Sequence, residues 1–351
     1  MSTLACRIRR TAAVAVALAA GSVLAPTATA APAGHHHSNS TVTSAPLPAG
    51  LYQSSYSARN HVLWATTAVG RPPVTESALL KVDPESHKVK AAYQPPVTDE
   101  QTGAVEAVYG VAVDDEHNTV WTTNTRDNSV AVYSQRGGTH LKTLKNVAHA
   151  REIVVDERRN TAWASGFGDG SLVAFDTRTL KEKKRVTVEG SSPTGLALDA
   201  RTGTVHAADL NGDRVISVSP HAKQPKFVPV GDGPISVALS RDGRTAYTAN
   251  QTAGTVSVVN LRKGEVTRTV PTGAGTLSVA TDPRSGRVLA ANRTAGDLAV
   301  IDPRRGTVVE TLPTGPNPNH VETAPGRAFV VDKSKAGPAG EDQVHRIRLS
   351  R

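Results

Sequence analysis

The chain has 351 residues, with 40 Lys and Arg against 31 Asp and Glu, a formal charge of +9 and one cysteine. That cysteine, Cys6, falls in the first thirty residues, so the remainder can form neither a disulfide nor a thiolate metal site. Stability must come from core packing, for which about 320 residues are enough. The excess is only +6 once Arg7, Arg9 and Arg10 are set aside, which suits solubility alone and permits attraction to polyanions.

Residues 1–30 read as an export leader. Arg7, Arg9 and Arg10 form a basic n-region, residues 11–25 are apolar but short for a membrane span, and Ala28-Thr29-Ala30 offers a small-residue cleavage site. A secreted or extracytoplasmic protein, cleaved near Ala30, is expected. The Arg9-Arg10 pair hints at twin-arginine export, but nothing after it adds support and the Sec route fits better. No later apolar run reaches spanning length. Residues 31–45 are small and polar, a disordered lead-in whose His35-His36-His37 reads as spacer rather than metal site.

From residue 46 onward the chain repeats itself. Val111-Ala-Val-Asp114, Ile153-Val-Val-Asp156, Leu196-Ala-Leu-Asp199, Val237-Ala-Leu-Ser240 and Val279-Ala-Thr-Asp282 align at intervals of 41 to 43 residues. Ten residues after each come Asn124, Gly166, Asp209, Asn250 and Asn292. A period near 40, with several short Val/Ala/Thr-rich strands punctuated by Gly, Asp and Pro, predicts an all-β, seven-bladed propeller of four-stranded antiparallel blades over residues 46–351. The chain ends after three strands of blade seven. The fourth is expected from residues 41–47, so that both termini close the ring and remove its open edge.

Trp64, Trp121, Trp163, His206, Tyr247, Leu289 and, with a one-residue shift, Phe329 fall at one register position on the second strand, which reads as packing between blades rather than as base-stacking platforms or, for His206, a ligand. The basic run Lys181 to Arg185 falls on an outer strand, where charge protects the edge. Three insertions break the period, at residues 70–77, 94–107 and 333–342, and all fall on one rim near blades seven, one and two. Loops on a rigid scaffold are where binding usually sits.

The innermost strand of each blade lines the channel and opens on that rim. Reading four and five places before the Asp114-type position yields the candidate ligand-binding residues Tyr52, Gln53, Tyr109, Arg151, Glu152, Asn319 and His320, whereas blades five and six bring small or apolar residues. Asn124, Asp209, Asn250 and Asn292 end second strands on the same rim and read better as turn formers. No catalytic residue is assigned. A metal-dependent lactonase or lyase would draw on Glu152, His320 and Asp209, a thin set, and no G-x-S-x-G elbow, G-x-G-x-x-G or Walker loop occurs. No cofactor is expected.

Several stretches resemble the YncE-like branch of the YVTN β-propeller proteins: GLYQSSYSARNHVLWATT, SALLKVDPESHKV, VWTTNTRDNSVAVY, REIVVDERRNTAWASG, SPTGLALD and EDQVHRIRL. The resemblance implies an exported, seven-bladed, noncatalytic propeller, with single-stranded DNA binding reported for the bacterial type. The expected partners are a protein or a polyanion, with single-stranded DNA suggested by the resemblance. The insertions and the polar channel mouth place their engagement by a monomer at the rim around blades seven, one, two and three.

Overall fold

The computed structural model describes residues 40–335, 337 and 339–350; the expected leader and residues 31–39 lie outside them. Seven four-stranded antiparallel sheets follow one another around a ring. Their innermost strands are Leu51–Ser57, Val108–Asp114, Ala150–Asp156, Pro193–Asp199, Pro234–Leu239, Thr276–Thr281 and Pro318–Ala324. The strand of blade seven lies against that of blade one, which closes the circle.

The seam lies in blade seven. Thr41–Leu47 pairs with Asp342–Arg348 over an unbroken register from Thr41 opposite Arg348 to Leu47 opposite Asp342. The strand therefore takes in residues of the expected lead-in and supplies the missing fourth strand. The buried carboxylate of Asp342 completes the joint: Oδ2 accepts the backbone N–H groups of Gly50 at 2.7 Å and Leu51 at 2.9 Å, and Oδ1 accepts that of Lys335 at 3.0 Å.

Burial follows position within a blade. Second strands such as Thr119–Asn124 and Thr161–Gly166 are buried along their whole length, because neighbouring blades cover both faces. Outer strands such as Lys181–Thr187 are largely exposed. Trp64 and Trp121 have no exposed surface and Trp163 has 3 %. The Trp64 indole N–H donates to Gln135 Oε1 at 3.1 Å, which satisfies its one polar atom inside the core. His206 is buried, hydrogen-bonded to Ser217 Oγ and held down near pKa 4 by desolvation, as a core histidine should be.

The periodic acids that end the inner strands are explained by turns, whereas the Asn and Asp that end the second strands, expected as turn formers, make buried links between more distant segments. Asp114, Asp156, Asp199 and Asp282 accept backbone N–H groups two or three residues on, from His117, Arg159, Arg201 and Arg284. Asn124, Asp209, Asn250 and Asn292 are fully buried and bind Glu106, Ser192, Ser257 and Asp297 respectively. Asp209 is thus committed to the fold and to Arg214, at 2.8 Å, and does not join a ligand set in the channel.

The insertions do more than lengthen loops. Residues 94–107 contain a small hairpin, Val97–Asp99 with Ala104–Val105, which repetition alone did not predict.

Candidate functional site

Every innermost strand carries a β-bulge near its start, where one extra residue stands against the second strand. In blade three the register passes from Ala150 opposite Gly166 to Ile153 opposite Ala164, leaving Arg151 and Glu152 in the bulge. Blades one and two do the same at Tyr52-Gln53 and Tyr109-Gly110, and blade seven at Asn319. A bulge re-aims side chains that strict alternation would send to opposite faces. Two successive residues can therefore meet one cavity.

They do. All seven candidates, Tyr52, Gln53, Tyr109, Arg151, Glu152, Asn319 and His320, line one cavity of about 240 Å³ at the channel mouth. Gly110, Gly195, Ser236 and Ser278 give it room, and Ile235 and Leu277 supply an apolar side. Tyr52 and Tyr109 meet edge to face with centroids 4.2 Å apart. Asn319 donates to the Tyr52 carbonyl at 2.6 Å and accepts from Arg293 at 2.9 Å.

The polar contacts reach across blades. Gln53 Nε2 of blade one donates to Glu152 Oε2 of blade three at 2.9 Å, while Gln53 Oε1 accepts the Val111 N–H at 3.2 Å. The bond crosses blade two beside Gly110, where a Cβ would stand 2.6 Å from Thr123 Oγ1, 2.7 Å from the Arg151 carbonyl and 3.2 Å from Gln53 Oε1. His320 Nδ1 accepts the Ser54 N–H at 3.4 Å, a long bond that marks this nitrogen as unprotonated.

Sequence reasoning missed five charged or titratable groups here. Arg126 and His149 line the cavity, and Arg293 joins it from blade six, which was expected to bring only small or apolar residues. Lys333 lies over the Tyr52 ring with its Nζ 3.5 Å from the centroid. Glu322 lies two residues beyond His320 along the same strand, about 6–7 Å deeper in the channel, and accepts the Tyr56 N–H at 3.0 Å.

The electrostatics divide by depth. At the rim, Arg151 is exposed with its guanidinium 5.6 Å from the Phe167 centroid, and the surrounding protein lowers its pKa by desolvation. Desolvation, with a smaller contribution from Arg151 and Arg126, holds His149 down as well. Lys333 is brought down to about 8 chiefly by burial, with the Asp342 carboxylate opposing the shift and Arg293 and Lys335 adding to it. Deeper in, desolvation pushes Glu152 up to about 7 and Glu322 up to about 7, the latter helped by repulsion from Glu152, and lowers His320 to about 4. A positive rim stands over a neutral to acidic throat.

A second cavity opens beside the first and shares Thr125, Arg126 and His149 with it; its outer wall is formed by Pro72, Val105 and other residues of the insertions. Two of the three inserted segments thus border the neighbouring cavity, and Lys333, from the third, packs on Tyr52 at the mouth.

Neither a family model nor a curated protein matches the chain. Solved structures do. Virginiamycin B lyase from Staphylococcus aureus aligns with a TM-score of 0.69 at 12 % identity, covering 89 % of this chain and all of that one. A catalytically inactive variant of the same lyase with quinupristin aligns at 0.72, with the same identity and coverage. Hydrazine synthase from Kuenenia stuttgartiensis aligns at 0.72 and 14 % identity, over 86 % of this chain and 96 % of its own. At this identity the likeness is one of fold. The propeller fold is what is shared.

Proposed function

We propose that this protein is an exported, noncatalytic binding scaffold of the YncE-like kind, and that its channel mouth captures an anionic group. One observation carries the reading. Among the described residues, the exposed Arg151 and the half-buried Lys333 form no direct ion pair and lie against aromatic faces, with Glu152 and Asp342 acting on them only at longer range. A cation with no carboxylate in direct contact keeps its N–H donors available, and an incoming anion can take them up. Export rests on the leader-like character of residues 1–30.

The mouth is compact rather than a track. Cations on the outer strand of blade three are already engaged: Lys183 and Lys184 cap backbone carbonyls, and Arg185 binds Glu182 at 2.7 Å. A cavity of about 240 Å³, below the roughly 300 Å³ at which drug-sized sites begin, favours a small ligand or the end of a larger one. A polyanion such as single-stranded DNA would be engaged by its terminus.

The test is a binding panel of carboxylates, phosphate, sulfate and a labelled oligothymidylate, measured at low and physiological salt. At least one anion should bind the wild type and lose ten-fold or more in the Arg151→Ala/Lys333→Ala double variant. Equal binding of every anion by both proteins contradicts the reading, as does a panel in which nothing binds.

A second reading, a lyase or lactonase, has its own observation: Glu152, poised near pKa 7, and the neutral His320 line the same cavity. A divalent ion would find few protein ligands, since no group of three His, Cys, Asp or Glu side chains converges among the described residues. Metal analysis and turnover of quinupristin by wild type and Glu152→Gln test it; turnover abolished by the substitution would favour this reading over the scaffold.

A further inference from the structure

Arg151 and Glu152 are adjacent, oppositely charged and face one cavity, yet among the described residues they form no ion pair with each other. Separate partners hold them apart. Arg151 lies over Phe167, while Glu152 is drawn towards Gln53 across blade two. Each Glu152 oxygen accepts one hydrogen bond, Oε2 from Gln53 and Oε1 from the Ile153 N–H at 3.2 Å, and a carboxylate oxygen has capacity for a second. Arg151 keeps its fork of donors unengaged by any carboxylate.

A ligand that satisfies both groups needs two oxygen acceptors and a cationic donor a few bonds apart. Resting on the anion-capture reading above, we propose that the channel mouth is a site for an α-amino carboxylate, its carboxylate on Arg151 and its ammonium on Glu152. The rest of the cavity agrees with this. Lys333 and Arg293 add positive potential on the rim side, and Glu322 adds acidic character on the throat side. The Tyr52–Tyr109 pair and the apolar Ile235 and Leu277 give an apolar or aromatic side chain its walls. The neighbouring cavity across Arg126 and His149 gives the remainder of a larger ligand a way out.

The two charges are dissected by calorimetry with three probes: L-phenylalanine, N-acetyl-L-phenylalanine, which lacks the ammonium, and phenethylamine, which lacks the carboxylate. L-phenylalanine should bind the wild type at least ten-fold more tightly than either of the others. Glu152→Gln should narrow its advantage over the acetylated probe to less than three-fold. Arg151→Met should narrow its advantage over phenethylamine similarly, with thermal melts confirming that both variants fold. Equal affinity of the free and acetylated probes for wild type overturns the amino carboxylate assignment. So does failure of all three probes while other anions of the panel bind, an outcome that leaves anion capture standing. If no anion binds, anion capture falls as well.

Discussion

Replacing Glu322 by Gln should stabilise the protein above neutral pH and leave it unchanged in acid. Burial, aided by Glu152, lifts the Glu322 carboxyl from the ordinary 4.5 to about 7. The folded state therefore holds this proton more tightly than the unfolded chain does. Its contribution is fully present below about 4.5 and is lost as pH rises through about 7. A rise of that size is worth about 3 kcal/mol at 1.36 kcal/mol per pKa unit. The side chain is only partly shielded from channel water, so a gain of about 1–3 kcal/mol for the variant is expected at pH 8.5. The substituted amide keeps an acceptor for the Tyr56 N–H, so no hydrogen bond is sacrificed. Urea unfolding at pH 4.0 and 8.5 reads the difference, and carboxylates elsewhere cancel between the two proteins. A variant whose advantage is the same at both pH values, within about 0.5 kcal/mol, refutes the reasoning.

Three further substitutions separate scaffold from site. Trp64→Ala should cost about 3–5 kcal/mol in urea unfolding through the cavity it leaves, with anion affinity changed less than two-fold; a large affinity loss in a folded variant would make Trp64 a contact. Asp342→Ala strands three backbone N–H groups at the ring seam and should cost about 2–4 kcal/mol, whereas an unaffected melt would remove the seam from the stability account. Gly110→Ala forces a Cβ to within 3.2 Å of Gln53 Oε1 as well as against Thr123. It should cost about 1–3 kcal/mol and weaken anion binding several-fold, and unchanged binding would show that the Gln53–Glu152 bridge does not shape the mouth.

The repeat was legible because propeller turns need particular side chains: an Asp closing an inner strand, as at Asp199, and an Asn or Asp closing a third strand, as at Asn260 and Asp302, accept nearby N–H groups. The closing strand was legible for a different reason, since a three-stranded last blade leaves an edge that Thr41–Leu47 alone is placed to cover. All seven candidate residues lie in one cavity because the register could be counted down each inner strand. What counting could not supply was the bulge, which brings both Arg151 and Glu152 to the mouth where alternation would have separated them.

Arg293 and Lys333 follow Asn292 and Asp332 directly, at one shared register position. Extending the count one residue past the second strand would have marked them. Glu322 was within reach in the same way, by two-residue periodicity from His320. The Gln53–Glu152 bond was beyond any such count, because it joins side chains of two blades across the one between.

The central claim is that Lys333 and Arg151 await an anion, and the Lys333 ammonium reports on it directly. Its pKa of about 8 lies far below that of an ordinary lysine because burial and neighbouring cations disfavour the charge. A pH titration by NMR on protein labelled at lysine carbons, with and without a saturating amount of the tightest anion of the panel, measures both states. The account predicts a Lys333 pKa near 8 in the free protein, rising by about one unit or more when the anion is seated. A pKa that starts near the ordinary lysine value, or one that stays put on binding, would contradict it.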